Sequence, residues 1–276
     1  MYFETYRQQR WMFLPLGNDA NMMTFALAKT TNEDLLSLAN KLGLDLVELN
    51  DDSHDFLLVK KNSRFELKST RNKALKPFFI DFSKGKYFYR LRHSNLKNEL
   101  IAKACGLKGK QQFKVLDATA GLGRDGLLLA KLGADVCMLE KNSIVHTLLE
   151  DALARFFAGH PEYKDTIKIE LKNEDANKYI KQMALKADVI YLDPMFPTRE
   201  KSAKIKKDMQ VLQQIITQDT DYLDLFNLAL KQALKRVVVK RPLHSKSLSL
   251  KKPDIVYKGK AMRFDVYLNQ SIALKS

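Results

Sequence analysis

Cysteine is nearly absent from this 276-residue chain: Cys105 and Cys137 are too few for a disulfide framework, and no CxxC pair is present to hold zinc. Long apolar runs are missing as well. None approaches the roughly 18 residues a membrane helix needs, so no membrane partner is expected. The N-terminal stretch MYFETYRQQRWMF has no basic start, apolar centre or small-residue cleavage site, which argues against a secretory signal and for a cytoplasmic protein. The five histidines, at 54, 93, 146, 160 and 244, fall at no metal-ligand spacing, so no metal is expected. Acids are scarce relative to bases: 32 Asp and Glu stand against 47 Lys and Arg, a net charge of +15. Such an excess favours a polyanionic partner, because each neutralised phosphate releases condensed counterions. With 45% apolar and 29% charged residues the composition is that of a globular protein.

What is there divides into two parts. Residues 1–94 read as a small α/β domain: a strand at 23–29, a helix at 32–42 closed by Gly43, and paired strands at 56–60 and 64–68 around a turn at 61–63. Two further runs, 77–82 and 86–91, flank Ser83, Lys84 and Gly85 and read as a second hairpin. The aromatics there read as packing residues. A helix from Asn95, as N-cap, to Cys105 before Gly106 opens the second part. From about residue 112 short apolar runs alternate with helical segments, at 115–118, 135–139, 167–171, 189–193 and 237–240. Such alternation signals βαβ units and a mostly parallel sheet. A basic helix is expected at 203–216 and another helix at 222–234. The closing strands, 254–257 and 263–268, leave no room for a helix and must be antiparallel. The expectation for 95–276 is a Rossmann-like α/β domain whose parallel sheet ends in an antiparallel hairpin.

Three motifs carry chemistry. In Asp117-Ala-Thr-Ala-Gly121-Leu-Gly123-Arg124-Asp125-Gly126 the glycines satisfy GxGxxG at a strand-to-helix turn. A pyrophosphate wants amides and little competing negative charge. Asp117 and Asp125 flank this turn instead and suit a ligand bearing an ammonium and a sulfonium. Glu140, after the second parallel strand, can accept from both ribose hydroxyls, and the stem of Lys141 can pack on an adenine. Glu174 and Asp175, after the third strand, can reach the adenine amine, although Asp175 also suits a helix N-cap. The discriminating motif is Asp193-Pro194-Met195-Phe196-Pro197 at the end of the fourth strand. A base amine is a poor nucleophile because its lone pair is delocalised. Accepting its N–H bonds with the Asp193 carboxylate and the Pro194 carbonyl localises that pair, and Phe196 can stack on the base. Catalysis would then be mainly orientation and proximity toward a cofactor carrying an activated methyl, S-adenosylmethionine. Carbon-5 methylation of pyrimidines needs a thiolate, and neither cysteine lies near this site. Two basic blocks follow. One holds Arg199, Lys201, Lys204, Lys206 and Lys207; the other holds Lys235, Arg236, Lys240, Arg241, Lys246, Lys251 and Lys252. Both are placed where an RNA substrate would lie.

DATAGLGRDG, LEKN, YLDPMFPTREKSAKIKKDMQV, KRVVVKRP and KGKAMRFDVY, in this order between residues 95 and 268, resemble the bacterial 16S ribosomal RNA guanine-N2 methyltransferase J family. The resemblance implies methylation of one guanosine amine in small-subunit RNA with S-adenosylmethionine as donor. It also implies cofactor contacts for Arg124, Asp125, Glu140, Lys141 and Asp193, and ribosomal RNA or the small subunit as partner. Three other readings differ: an adenine-N6 or other amino methyltransferase on DNA or another RNA, a nicotinamide-dependent oxidoreductase, and a non-catalytic RNA-binding factor.

Overall fold

The computed structural model describes residues 23–30, 35–109, 113–182, 187–194 and 222–269. The expected basic helix at 203–216, Met195, Phe196 and the first basic block lie outside these residues.

The first sheet has four strands, β1 (Phe25–Ala28), β2 (Asp45–Val47), β3 (Phe56–Lys61) and β4 (Arg64–Ser69). Their order is β2-β1-β3-β4, parallel except for the β3–β4 hairpin. That hairpin turns on Asn62 and Ser63, both at positive φ, the backbone that a two-residue hairpin turn demands. Helix α1 (Leu36–Leu42) joins β1 to β2 and ends on Gly43 in the left-handed conformation.

The second expected hairpin is not formed. Phe78 makes one isolated bridge to Leu67, and Gly85–His93 is a helix, α2. Tyr87 and Leu91 are one helical turn apart and turn inward with Phe88, so the aromatic run obeys the 3.6 period rather than alternation. Helix α3 (Leu100–Cys105) also starts later than the sequence suggested. Asn95 caps a separate turn before it, its side chain accepting from the Lys97 and Asn98 amides. Gly106 closes α3 as expected.

The second sheet is the doubly wound part. It contains β5 (Phe113–Asp117), β6 (Ala134–Leu139), β7 (Lys168–Lys172), β8 (Val189–Leu192), β9 (Arg236–Pro242), β10 (Ile255–Lys258) and β11 (Met262–Leu268). Their order is β10-β11-β9-β8-β5-β6-β7. Strands β5 to β9 pair in parallel, and β11 then pairs antiparallel with both β9 and β10. The intervening helices are α4 (Arg124–Lys131), α5 (Ser143–Gly159), α6 (Ala176–Gln182) and α7 (Tyr222–Gln232). One face of the sheet packs on α3, α4 and α5 in an apolar cluster that runs on through Leu58 and Leu67 of the first sheet. The other face packs on α6 and α7 through Ile180, Leu225 and Phe226. Chain order reverses between β5 and β8, which opens a crevice beyond their carboxyl ends.

Candidate active site

The turn after β5 is shaped by its own backbone. The Asp117 carboxylate accepts the Thr119 amide at 3.2 Å, and the Gly123 amide donates to the Ala120 carbonyl at 2.8 Å. Gly123 has φ 68°, and a Cβ there would lie 2.4 Å from Leu149 of α5. A Cβ on Gly126 would lie 2.4 Å from the Met138 sulfur, so α4 seats on β6 only because that side chain is missing.

Beyond this turn lies a cleft lined by Thr119, Gly121, Glu140, Lys141, Glu174, Asp175 and Asp193, closed by Tyr222 and Leu225 of α7. The four loops after β5, β6, β7 and β8 thus bring together most of the residues singled out as cofactor ligands. Glu140 is buried, and its carboxylate accepts the Gly121 amide at 2.9 Å and the Asn142 amide at 2.8 Å. The Asn173 side chain donates to the Glu140 carbonyl at 2.8 Å, tying the β7 loop to the β6 loop. Asp175 is the N-cap of α6, accepting from the Lys178 amide at 3.0 Å, and it lines the cleft as well. Arg124 is exposed and lies over the Tyr87 ring of α2, 6.0 Å from its centroid.

Asp193 is set by two contacts. Its amide donates to the Thr119 hydroxyl at 2.6 Å, and its carboxylate receives the Lys240 ammonium at 2.7 Å. The same ammonium reaches Asp125 at 2.7 Å, and the Tyr191 hydroxyl donates to that carboxylate at 2.7 Å. Burial works against the Lys240 charge, yet the two carboxylates hold it well above the usual lysine range. Burial opposes ionisation of Asp125 too, but Lys240 and the Tyr191 hydroxyl outweigh it and keep that acid below its ordinary value. Asp193 accepts from Lys240 without the tyrosine, and there burial prevails and raises it. Asp117 is almost fully enclosed, and burial, with the Asp125 charge beside it, lifts its carboxyl to about 8.

Lys240 and Arg241, expected to face RNA, are therefore committed inside the protein. Arg241 is 5% exposed; it reaches the Ser245 hydroxyl at 3.2 Å and the Lys246 carbonyl. Lys235 pairs with Asp188 at 2.9 Å, and Arg236 donates to the Ala104 carbonyl at 3.1 Å. Both stand at the start of β9, the end of the sheet away from the cleft. Of the second basic block Lys246, Lys251 and Lys252 are exposed. Thr119, Tyr191 and the internal role of Lys240 escaped the sequence reading. The signal for Lys240 was available: a lysine directly after three valines in an inner strand needs a buried counterion.

A crevice at the switch point, carboxylates around the glycine turn and a Glu after β6 suit a cationic nucleoside ligand better than a pyrophosphate. Together with the terminal antiparallel pair they define an S-adenosylmethionine-dependent methyltransferase. The comparisons agree. A family model for SAM-dependent methyltransferases matches residues 37–269. A ribosomal RNA small subunit methyltransferase J from Coxiella burnetii is 43% identical over 251 residues, covering 91% of this chain and 98% of that protein. One from Hahella chejuensis is 39% identical, covering 85% of this chain and 90% of its own length. The crystal structure of the SAM-dependent methyltransferase NGO1261 from Neisseria gonorrhoeae superposes with a TM-score of 0.70 at 31% identity, over 89% of this chain and 96% of that one. The chain belongs to the ribosomal RNA small subunit methyltransferase J family, and its methyl donor is S-adenosylmethionine.

Proposed function

We propose that the protein methylates the exocyclic N2 amine of one guanosine in 16S ribosomal RNA, free or in the small subunit, in the cytoplasm. The names of the relatives support the RNA class. The observation that carries the chemistry is Asp193, presented at the end of β8 and held by Thr119 and Lys240. The cofactor supplies a methyl group already activated on a sulfonium. Glu140 is suited to its ribose, Lys141 and Asp175 to its adenine, and the negative surroundings of Asp125 and Asp193 to its positive charge. Glu174, Gly121 and Arg124 complete the cofactor's surroundings in this reading, and Asp117 supports the turn from behind. Asp193 and the Pro194 carbonyl accept the N–H bonds of the amine, turning its lone pair toward the methyl group. Lys240 favours the anionic form of Asp193 against burial and aims its carboxylate. Phe196 stacks on the base, and Arg199, Lys201, Lys204, Lys206 and Lys207 hold phosphates. The division into units 1–94 and 95–276 belongs to the same proposal, with the cofactor cleft and the Asp-Pro loop both in the second unit.

Two measurements test this. Small-subunit RNA incubated with the protein and S-adenosylmethionine is expected to gain N2-methylguanosine by nucleoside mass spectrometry; N6-methyladenosine instead would overturn the base assignment. Asp193→Asn replaces one acceptor oxygen with a donor that repels the amine. Its single-turnover rate at saturating cofactor and RNA is expected to fall about 10²-fold or more. A near-wild-type rate would show that the Asp-Pro loop is only structural.

A further inference from the structure

Helix α2 carries a stripe that the cofactor cleft does not use. Lys86, Tyr89, Arg90 and His93, at i, i+3, i+4 and i+7, all face solvent, which places them on one side of the helix. Tyr89 is the anomaly, a large aromatic 67% exposed. Its ring is held in place. His93 stacks on it with centroids 4.1 Å apart and 25° between planes, and the His93 Nδ1–H donates to the Tyr89 carbonyl at 2.7 Å. A preformed aromatic pair offers a flat face on which another ring can add with little ordering cost.

The surroundings are basic. Lys84, Lys86, Arg92 and Lys97 are exposed around the pair, and α2 itself contains no acid. Glu99, which packs against the helix, is buried and gripped by Arg90 at 3.0 and 2.6 Å. The stripe also stands beside the chemistry. On the inward side of the same helix the Tyr87 hydroxyl donates to the Arg124 carbonyl at 2.7 Å, and Arg124 opens α4 directly after the glycine turn.

We infer that the outer face of α2 is a docking surface for unpaired RNA, with Tyr89 and His93 stacking on a base while Lys86 and Arg92 hold flanking phosphates. The inference rests on the reading of the chain as an RNA methyltransferase and adds where that substrate is held. Unpaired strands fit and duplex does not, because bases inside a duplex are already stacked on one another. An RNA strand seated here lies next to the loop that leads into the cofactor cleft.

Fluorescence anisotropy of the full chain with a labelled single-stranded oligonucleotide of small-subunit sequence reads the interaction. Tyr89→Ala is expected to weaken binding about tenfold, and Tyr89→Phe to keep it. Lys86→Gln with Arg92→Gln is expected to lower the slope of log affinity against log salt by about 1.4, at roughly 0.7 for each single-strand phosphate no longer neutralised. Calorimetric affinity for S-adenosylmethionine should not change in these variants, since none of the three residues lines the cleft. Wild-type affinity in Tyr89→Ala, or a wild-type salt slope in the double variant, would overturn the docking surface even in an enzyme that methylates RNA. Tyr89-dependent RNA binding by a protein that transfers no methyl group would leave the surface standing and overturn the proposed function.

Discussion

Lys240 sits in a central strand between residues that pack on both faces of the sheet, where an uncompensated ammonium would be costly to bury. Asp125 and Asp193 compensate it, so one side chain links the glycine turn's helix to the loop after β8. Lys240→Met removes the cation and leaves two carboxylates facing each other. Loss of one partner of a fully buried pair costs ~3–5 kcal/mol. Asp193 is about a third exposed, so about 2 kcal/mol is expected from urea midpoints at neutral pH, shrinking as the acids protonate. No loss would mean the bridge is ornamental. Asp117 makes the complementary case. Its folded value near 8 lies above the ordinary carboxylate value of 3.8, so the native state holds a proton that the unfolded chain releases. Its contribution is therefore fully present at low pH and is lost as pH rises through about 8. Asp117→Asn, which imitates the protonated form and keeps the acceptor for Thr119, should gain stability relative to wild type progressively as pH rises from about 4 to about 8. Parallel melting curves for the two proteins would show instead that Asp117 is charged throughout.

At the scale of elements, α4 shows how little freedom the site has. Its first turn follows Gly123, whose left-handed backbone costs an L-residue about 1–2 kcal/mol before the collision with Leu149 adds to it. Gly123→Ala is thus expected to lose about 2–4 kcal/mol in urea unfolding and to weaken S-adenosylmethionine binding in calorimetry, because the turn and α4 shift together. Full stability would mean that Leu149 yields and the turn tolerates a side chain. Helix α2 teaches the opposite lesson about reading elements. Its run KYFYRL is rich in strand formers, yet it folds as a helix because Tyr87, Phe88 and Leu91 reach the core, α4 and His160 only at helical spacing. Propensity yielded to tertiary packing, as it does for short aromatic segments.

Across the whole molecule, the excess of 15 positive charges is not spread as the sequence suggested. Some of the bases are committed within the protein: Lys240 and Arg241 inside it, and Lys235 and Arg90 in surface pairs with Asp188 and Glu99. The surfaces proposed for RNA are that of α2, the exposed Lys246, Lys251 and Lys252, and the block at 199–207. Neutralising Lys204, Lys206 and Lys207 together should reduce the salt slope of RNA binding by about 2–3, at roughly 0.7–0.9 per phosphate. An unchanged slope would make that block a solvated face and shift the whole electrostatic footprint to the other two surfaces.

The parallel strands, the glycine turn, Glu140 and the Asp-Pro motif were legible in the sequence because each depends on local pattern. Strands buried on both faces read as short apolar runs, and a tight turn whose helix packs closely on β6 and α5 reads as glycines next to acids. Residues that act through distant partners were not legible. Lys240 meets Asp125 and Asp193 from positions 115 and 47 residues away in sequence, and the exposure of Tyr89 depends on which side of α2 the core covers. Charge type is written in the chain. Whether a charge faces water, a carboxylate or a phosphate is decided by packing, since burial sets the cost of leaving that charge without a partner.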